Sequence, residues 1–315
     1  QVADLKNLIE YRTEKSKKIK KVDNENEDIS KSQFKILYNE EIVPNIYKLI
    51  IKAPFIAAKA KPCNFIIIMK NEKSERIPLT LSDWDIEEGN ITVYYQEKGL
   101  STLELAKANE GEELFSVVGP LGKDVEFSNF GTVLLGGGCY GIGSIYPIAR
   151  KLKELRNRVI VILESKNKLL FYLEKKFETL VDKVVYCTSD GSKGIKGKIE
   201  TAISHVIESE ETIDRCYFIG CNYMMMEASE KTQSEGNIPT FVNLSTIMID
   251  GTGMCGGCRV TLLKDGAEIT KFACVDGPTF NGHNIKWDLL IKRNARFDVV
   301  EEQIYHTQSC KALEN

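Results

Sequence analysis

The sequence predicts an α/β plus β chain: a small antiparallel β-barrel, then a doubly wound parallel sheet, then a short C-terminal loop region organised by cysteines. Three observations predict it. Between Phe34 and about Phe127, β-rich runs alternate with turns. From Gly131 the pattern changes to strand, glycine-rich turn, helix and strand, and three cysteines fall between residues 244 and 284. The chain divides accordingly into a charged N-terminal extension (1–33), the barrel (34–128), the parallel-sheet domain (129–243), the cysteine region (244–284) and a helical tail (285–315).

Composition bounds the function. At 315 residues the chain is long enough for two cores, and a net charge of -3 gives no basis for a nucleic-acid partner. No apolar run reaches the length needed to span a bilayer, and the polar start at Gln1 has no signal-peptide core, so the expected address is cytoplasmic. Nine cysteines, an odd number, fit a reducing compartment in which thiols serve metals. Six of them, Cys63, Cys139, Cys187, Cys216, Cys221 and Cys310, read most simply as small buried hydrophobes.

In chain order, residues 1–33 carry charge blocks with little to bury and read as a solvated arm. The barrel strands are Phe34–Tyr38, Ile46–Ile51, Asn64–Ile68, Ile91–Tyr95 and Glu113–Val118. Between two of them lies Arg76-Ile77-Pro78-Leu79-Thr80, and Gly99-Leu100-Ser101-Thr102 precedes a helical stretch from Leu103 to Ala108. An arginine beside a strand can pair bidentately with a pyrophosphate, and a turn opening a helix presents N–H groups to the same anion. Alone, Arg76 is an ordinary surface ion-pair residue and Ser101 an ordinary cap. Together, on a barrel, they indicate a flavin dinucleotide (FAD) site at Arg76, Pro78, Leu79, Thr80, Gly99, Ser101 and Thr102, with Thr80 near the isoalloxazine.

The next unit starts with the strand Gly131–Leu135, which runs into Gly136-Gly137-Gly138-Cys139-Tyr140-Gly141. A helix from Ile145 to Leu155 and a strand Val159–Leu163 complete a βαβ unit. Strands at 184–186, 216–219 and 240–242, with helices around 199–207 and 224–233, continue the alternation and give a doubly wound sheet. The glycines 136, 137, 138 and 141 let a pyrophosphate approach a helix N-terminus, although a tight βα turn needs glycine too. Glu164 ends the following strand, where a carboxylate accepts the ribose hydroxyl of NAD; Lys166 and Lys168 leave NADP open. Thr188, Asp190 and Gly220 also follow strands, at positions suited to ligand contact or to capping their own loops.

The cysteine region reads D-x4-C-x2-C-x15-C from Asp250 through Cys255 and Cys258 to Cys274. A plant-type [2Fe-2S] cluster uses C-x4-C-x2-C and a distant fourth cysteine, a register that fits if Asp250 fills the first ligand position. A structural zinc site shares the C-x2-C spacing, but zinc favours a second such pair or histidines, and none of His205, His283 or His306 sits at that spacing. A carboxylate ligand is harder than a thiolate and donates less electron density. The expected result is a shifted potential and a more labile cluster.

The order of barrel, dinucleotide domain and C-terminal cysteine loop resembles the ferredoxin reductase superfamily. Within it the chain is most similar to the small subunit of NADH-dependent reduced ferredoxin:NADP oxidoreductase, also described as a sulfide dehydrogenase subunit. The likeness runs from about residue 33 to 295 and rests on Arg76–Thr80, Gly119–Gly122, Gly136–Pro147, Thr188–Gly197, Asp250–Arg259 and Cys274 with Asp276-Gly277-Pro278. The electron-transfer subunit of dihydroorotate dehydrogenase, a near relative, has cysteine where Asp250 stands. The resemblance implies FAD on the Arg76 and Gly99 motifs, NAD(H) on the glycine turn and cluster ligands Asp250, Cys255, Cys258 and Cys274. It also implies a larger partner subunit with a second flavin and [4Fe-4S] clusters, in an electron-bifurcating complex. Two features depart from the family pattern: Gly220-Cys221-Asn222 where a Gly-Pro pair precedes the methionines, and the charged arm before residue 33. A dihydroorotate-dehydrogenase-type electron-transfer subunit, or a stand-alone NAD(P)H-dependent flavin or sulfur reductase, is the alternative reading. A third, a ferredoxin-like adaptor without nucleotide binding, is disfavoured by the Arg76 motif and the glycine turn.

Overall fold

The structure, a computed structural model, describes residues 34–209 and 212–297. The expected arm and most of the C-terminal tail, with His306 and Cys310, lie outside the described residues.

Six strands make the first sheet: β1 (Ile36–Val43), β2 (Ile46–Lys52), β3 (Phe65–Met69), β4 (Ile77–Asp85), β5 (Asn90–Gln96) and β6 (Ser116–Leu121). Their order is β1-β2-β5-β4-β3-β6, with every pairing antiparallel. A bridge between Lys35 and Glu113 ties the start of β1 to the approach of β6 and curls the sheet into a barrel. Alternate residues such as Ile91, Val93 and Tyr95 point inward with the period of two that a pleated strand imposes. The nine-residue β4 contains the Arg76 motif's Pro78, which hid it as a strand because proline is rare in paired positions. The helix Leu100–Ala106 begins three residues before the expected start. Thr102 caps it from inside the first turn, its hydroxyl accepting the Gly99 amide at 3.1 Å and the Lys98 amide at 3.0 Å.

The second sheet contains β7 (Thr132–Gly138), β8 (Arg158–Ser165), β9 (Lys183–Thr188), β10 (Ile195–Lys196), β11 (Arg215–Ile219) and β12 (Thr240–Asn243). They run parallel in the order β10-β9-β8-β7-β11-β12. Odd-numbered side chains of β7 and β8, such as Val133, Leu135 and Val161, pack with Ile142, Ile145 and Ile148 of the helix Gly141–Glu154. Even-numbered ones, such as Leu134, Ile160 and Ile162, pack with the helices Ile199–Ser209 and Asn222–Ser234. Both faces are covered, which is why these strands read as continuous apolar runs. The strand order reverses between β7 and β11, the place where an open α/β sheet has its ligand crevice.

The cysteine region adds a hairpin that the sequence reading did not contain, β13 (Arg259–Lys264) with β14 (Ala267–Phe272). Its turn residues Asp265 and Gly266 have φ of 52° and 79°, the left-handed pair of a two-residue hairpin turn. The chain then forms β15 (Thr279–Asn281), which joins the second sheet antiparallel to β12. The sheet is therefore parallel through six strands and closed at one edge by a strand from the cysteine region. The helix Trp287–Asn294 follows, with Leu290 buried against this region. Among the described residues, no helix is long and apolar enough to cross a membrane.

Barrel, sheet and cysteine region meet along one seam. A Cβ on Gly251 would stand 2.7 Å from Ile67 of β3 and Leu121 of β6, so the loop rests directly on the barrel. Phe65, Ile67, Leu134, Cys258 and Val260 belong to one continuous core.

Candidate functional site

A cleft opens along this seam. Its walls include Thr80 and Pro78 from β4, Tyr140 from the turn after β7, and Thr246, Met248 and Pro278 from the cysteine region. Its volume is about 180 Å³. Leu79 and Thr102 also line it, so four residues expected at the flavin site come together here. Arg76 stands just before β4, and its Nε is buried without a hydrogen-bond partner among the described residues. A guanidinium nitrogen left unpaired in this way is costly unless an anion completes it. The Thr246 hydroxyl on the cleft wall is likewise buried and unpartnered. Gly99 faces open space, whereas the Ser101 hydroxyl donates to the Glu75 carboxylate at 2.9 Å. The residues present fit a flavin dinucleotide, with Ser101 engaged elsewhere.

The glycine turn is tighter than the sequence reading had it. Gly136, Gly137 and Gly138 belong to β7, and the turn proper is Cys139-Tyr140. A Cβ on Gly136 would meet the Phe218 ring at 2.3 Å, and one on Gly137 would meet Ile145 at 2.8 Å. One on Gly141 would stand 1.9 Å from the Ile219 carbonyl oxygen. These glycines let helix and strands approach closely, the packing role of such residues in a dinucleotide fold. Gly138 and Gly220 form the crest itself, where a Cβ on either would strike the Met224 sulfur. The Tyr140 hydroxyl donates to the Gly220 carbonyl at 2.7 Å and so spans the crevice from β7 to β11.

Glu164 pairs with Gly138 across β8 and β7 and therefore borders the crest. Burial, then the nearby Glu227 and Glu200 carboxylates, push its pKa up to about 7, with Lys198 opposing. Thr188 and Asp190 are committed to their own loop. The Thr188 hydroxyl donates to the Lys193 carbonyl at 2.9 Å, and Asp190 accepts the Ser192 amide at 2.8 Å.

In the cysteine region the four expected ligands stand as two pairs. The Asp250 carboxylate lies 3.2 Å from the Cys255 sulfur, and the Cys258 and Cys274 sulfurs lie 3.2 Å apart. Burial opposes the Asp250 charge, but the Cys255 thiol, the Met254 and Cys255 amides and the Thr252 hydroxyl outweigh it and hold the carboxyl well below its ordinary value. Burial and the neighbouring Cys258 sulfur raise Cys274 to about 12. Among the described residues no three His, Cys, Asp or Glu side chains converge on one metal position. A single zinc wants four ligands on one centre, whereas a two-iron cluster divides its ligands between two irons. Two pairs suit the second arrangement.

Residues 245–286 match the family described as the iron-sulfur cluster binding domain of dihydroorotate dehydrogenase B. The Thermotoga maritima dihydroorotate dehydrogenase B (NAD(+)) electron transfer subunit homolog is 39% identical over 270 residues, covering 86% of this chain and 93% of that protein. The chain belongs to the family of dihydroorotate dehydrogenase B electron-transfer subunits and their homologues. A Bacillus cereus (strain Q1) electron transfer subunit of this family is 31% identical over 260 residues, covering 80% of this chain and 97% of its own length. Among solved structures, a chain of NADH-dependent reduced ferredoxin-NADP oxidoreductase, described for flavin-based electron bifurcation, superposes with a TM-score of 0.80 at 36% identity. It covers 86% of this chain and 97% of its own. Membership of the electron-transfer-subunit family agrees with the barrel, the crevice and the cysteine loop.

Sequence reasoning missed Tyr94, Tyr140, Asn243, Ser245, Thr246 and Met248 as cleft residues. The signal for three of them was present: Asn243, Ser245 and Thr246 follow the expected strand 240–242, at the carboxyl end where α/β sheets bind ligands.

Proposed function

We propose that this chain is the flavin and iron-sulfur electron-transfer subunit of a heteromeric oxidoreductase, exchanging a hydride with NAD(H) and delivering single electrons to a larger subunit. The observation that carries the reading is the seam cleft, bordered at once by Thr80 of the barrel, Tyr140 of the nucleotide crevice and Met248 of the cysteine region. In this reading Arg76 pairs with the FAD pyrophosphate, while Pro78, Leu79, Thr80 and the Gly99–Thr102 turn border the flavin. The crest at Gly138 and Gly220, with Glu164 beside it, receives the coenzyme, and Asp250 with Cys255 and Cys258 with Cys274 hold the two irons. FAD supplies two-electron acceptance and one-electron release, and the cluster supplies one-electron passage. The residues bind and orient these groups, and the apolar walls at Pro78, Met248 and Pro278 limit water access.

A partner subunit is favoured over a stand-alone reductase by the surface of the cysteine loop. Met254 is 88% exposed, and Ile249 and Val275 of the same region are exposed too, apolar side chains of the kind that a docking face presents. The partner we infer carries a second flavin and [4Fe-4S] clusters in an electron-bifurcating complex, and the compartment is the cytoplasm. NAD is the coenzyme we favour over NADP, because a carboxylate borders the crest.

Anaerobic purification with copurifying chains, iron and flavin analysis, and EPR after NADH addition test this function. The expected result is about two irons and one FAD per chain, with a reducible [2Fe-2S] signal that changes in Asp250→Cys. Zinc in place of iron, or a flavin-free native protein, would overturn it.

A further inference from the structure

Two thiols flank the coenzyme crevice and take no part in the proposed machinery. Cys139 follows β7 and Cys221 follows β11. The parallel register pairs Gly136 with Phe218 and Gly137 with Ile219, and Cys139 and Cys221 are each the second residue past that last pair, where the two chains leave the sheet. The adjacency persists past the last ladder pair, since a Cβ on Gly220 would lie 3.4 Å from the Gly138 carbonyl oxygen and 3.5 Å from its nitrogen. Paired strands are about 4.8 Å apart, so the two chains leave β7 and β11 from a spacing within the roughly 4.4–6.8 Å between α-carbons that a disulfide accepts.

Both residues are exposed, whereas Cys63, Cys187 and Cys216 are buried. Cys139 holds a left-handed φ of 51°. Cys221 caps the helix Asn222–Ser234, and its sulfur accepts the Met224 amide at 3.5 Å. Protein around the Cys139 sulfur raises its pKa to about 11, and the second contribution comes from Cys221, as expected of close thiols.

We propose that Cys139 and Cys221 form a dithiol that low-molecular-weight disulfides convert to an intramolecular disulfide, and that this bond closes the crest to the nicotinamide coenzyme. The Cys221 sulfur, as thiolate, attacks one sulfur of the small disulfide, forming a mixed disulfide and releasing one thiol. Cys139 then loses its proton and attacks the Cys221 sulfur, forming the protein disulfide and releasing the second thiol. Two electrons and two protons pass from the protein to the small disulfide. The bond tethers the Cys139-Tyr140 turn to β11, and Tyr140 already reaches Gly220 there. The blocking effect rests on the coenzyme reading above; the bond itself does not.

The experiment uses the full-length holoprotein, reduced or treated anaerobically with glutathione disulfide. Non-reducing peptide mass mapping is combined with NADH titration. The expected result is a peptide joining Cys139 to Cys221, lighter by two hydrogens than the separate thiols, and NADH affinity lowered at least tenfold and restored by dithiothreitol. Cys221→Ser, which keeps a capping side chain, and Cys139→Ser should each abolish both effects. Glutathione adducts remaining unlinked on the two cysteines, or a linked peptide with unchanged NADH affinity, would overturn the proposal. A reduced protein without NADH affinity would sink the coenzyme reading and the blocking effect together, while mass mapping still decides the bond.

Discussion

The sulfurs of Cys258 and Cys274 stand 3.2 Å apart although fifteen residues separate them in sequence. The hairpin β13–β14 explains this. Cys258 lies just before its first strand and Cys274 just after its second, and the Ala273 amide donates to the Cys258 carbonyl at 3.0 Å to close its base. The long gap in the ligand pattern is thus the length of one hairpin.

Gly266→Val should therefore loosen the metal site from a distance. Open space surrounds the position, but its φ of 79° suits glycine, and a β-branched residue there costs about 1–3 kcal/mol. A lower melting temperature together with reduced iron per chain is expected. Unchanged iron content at clearly lowered stability would mean that the turn does not govern the pair.

Arg76→Ala should lower the FAD-to-protein ratio at unchanged circular dichroism. Losing a charge-assisted contact to a pyrophosphate costs about 1.5–3 kcal/mol, or at least tenfold in flavin affinity. Arg76→Lys should rescue only partly, since an ammonium cannot reproduce the bidentate fork. Full flavin retention in the alanine variant would remove Arg76 from the site.

Two glycines should behave in opposite ways. Gly141→Ala forces a methyl against the Ile219 carbonyl and should cost about 1–3 kcal/mol in urea unfolding. Gly99 has a φ of -128° and open space around it, so Gly99→Ala should stay within about 0.5 kcal/mol. Equal effects would contradict the helix-to-strand packing role assigned to Gly141.

Glu164 makes stability fall with pH. Its folded pKa of about 7 lies above the ordinary 4.5, so the folded state holds the proton more tightly. The associated stability is complete below 4.5 and is lost as pH rises through about 7. Glu164→Gln should flatten this slope and be more stable than wild type at pH 8 by about 1–3 kcal/mol, with the difference vanishing near pH 4.5. Parallel denaturant midpoints for the two proteins across this range would refute the assignment.

Alternating apolar residues made the barrel legible and continuous apolar runs the parallel sheet, because Leu134 and Leu135 each face a covered side and so read as a buried strand. The spacing brought Asp250, Cys255, Cys258 and Cys274 forward as candidate ligands without any tertiary information. β4 stayed hidden because Pro78 argues against a paired strand, and β15 because three residues are too few to show a period. The hairpin carried its Asp265-Gly266 signal openly. Tyr140 was out of reach because its role depends on Gly220, eighty residues away, whose carbonyl it finds only when the two strand ends meet.

The antiparallel strand Thr279–Asn281 also has a bearing on solubility. Without it, β12 would show a row of unpaired amides and carbonyls, a template for sticking to other chains. The segment that follows the candidate ligand cysteines therefore seals the sheet as well. A chain cut short at Asn243 would keep six parallel strands and yet present a raw margin prone to self-association, so the redox loop and the colloidal health of its neighbour stand or fall together.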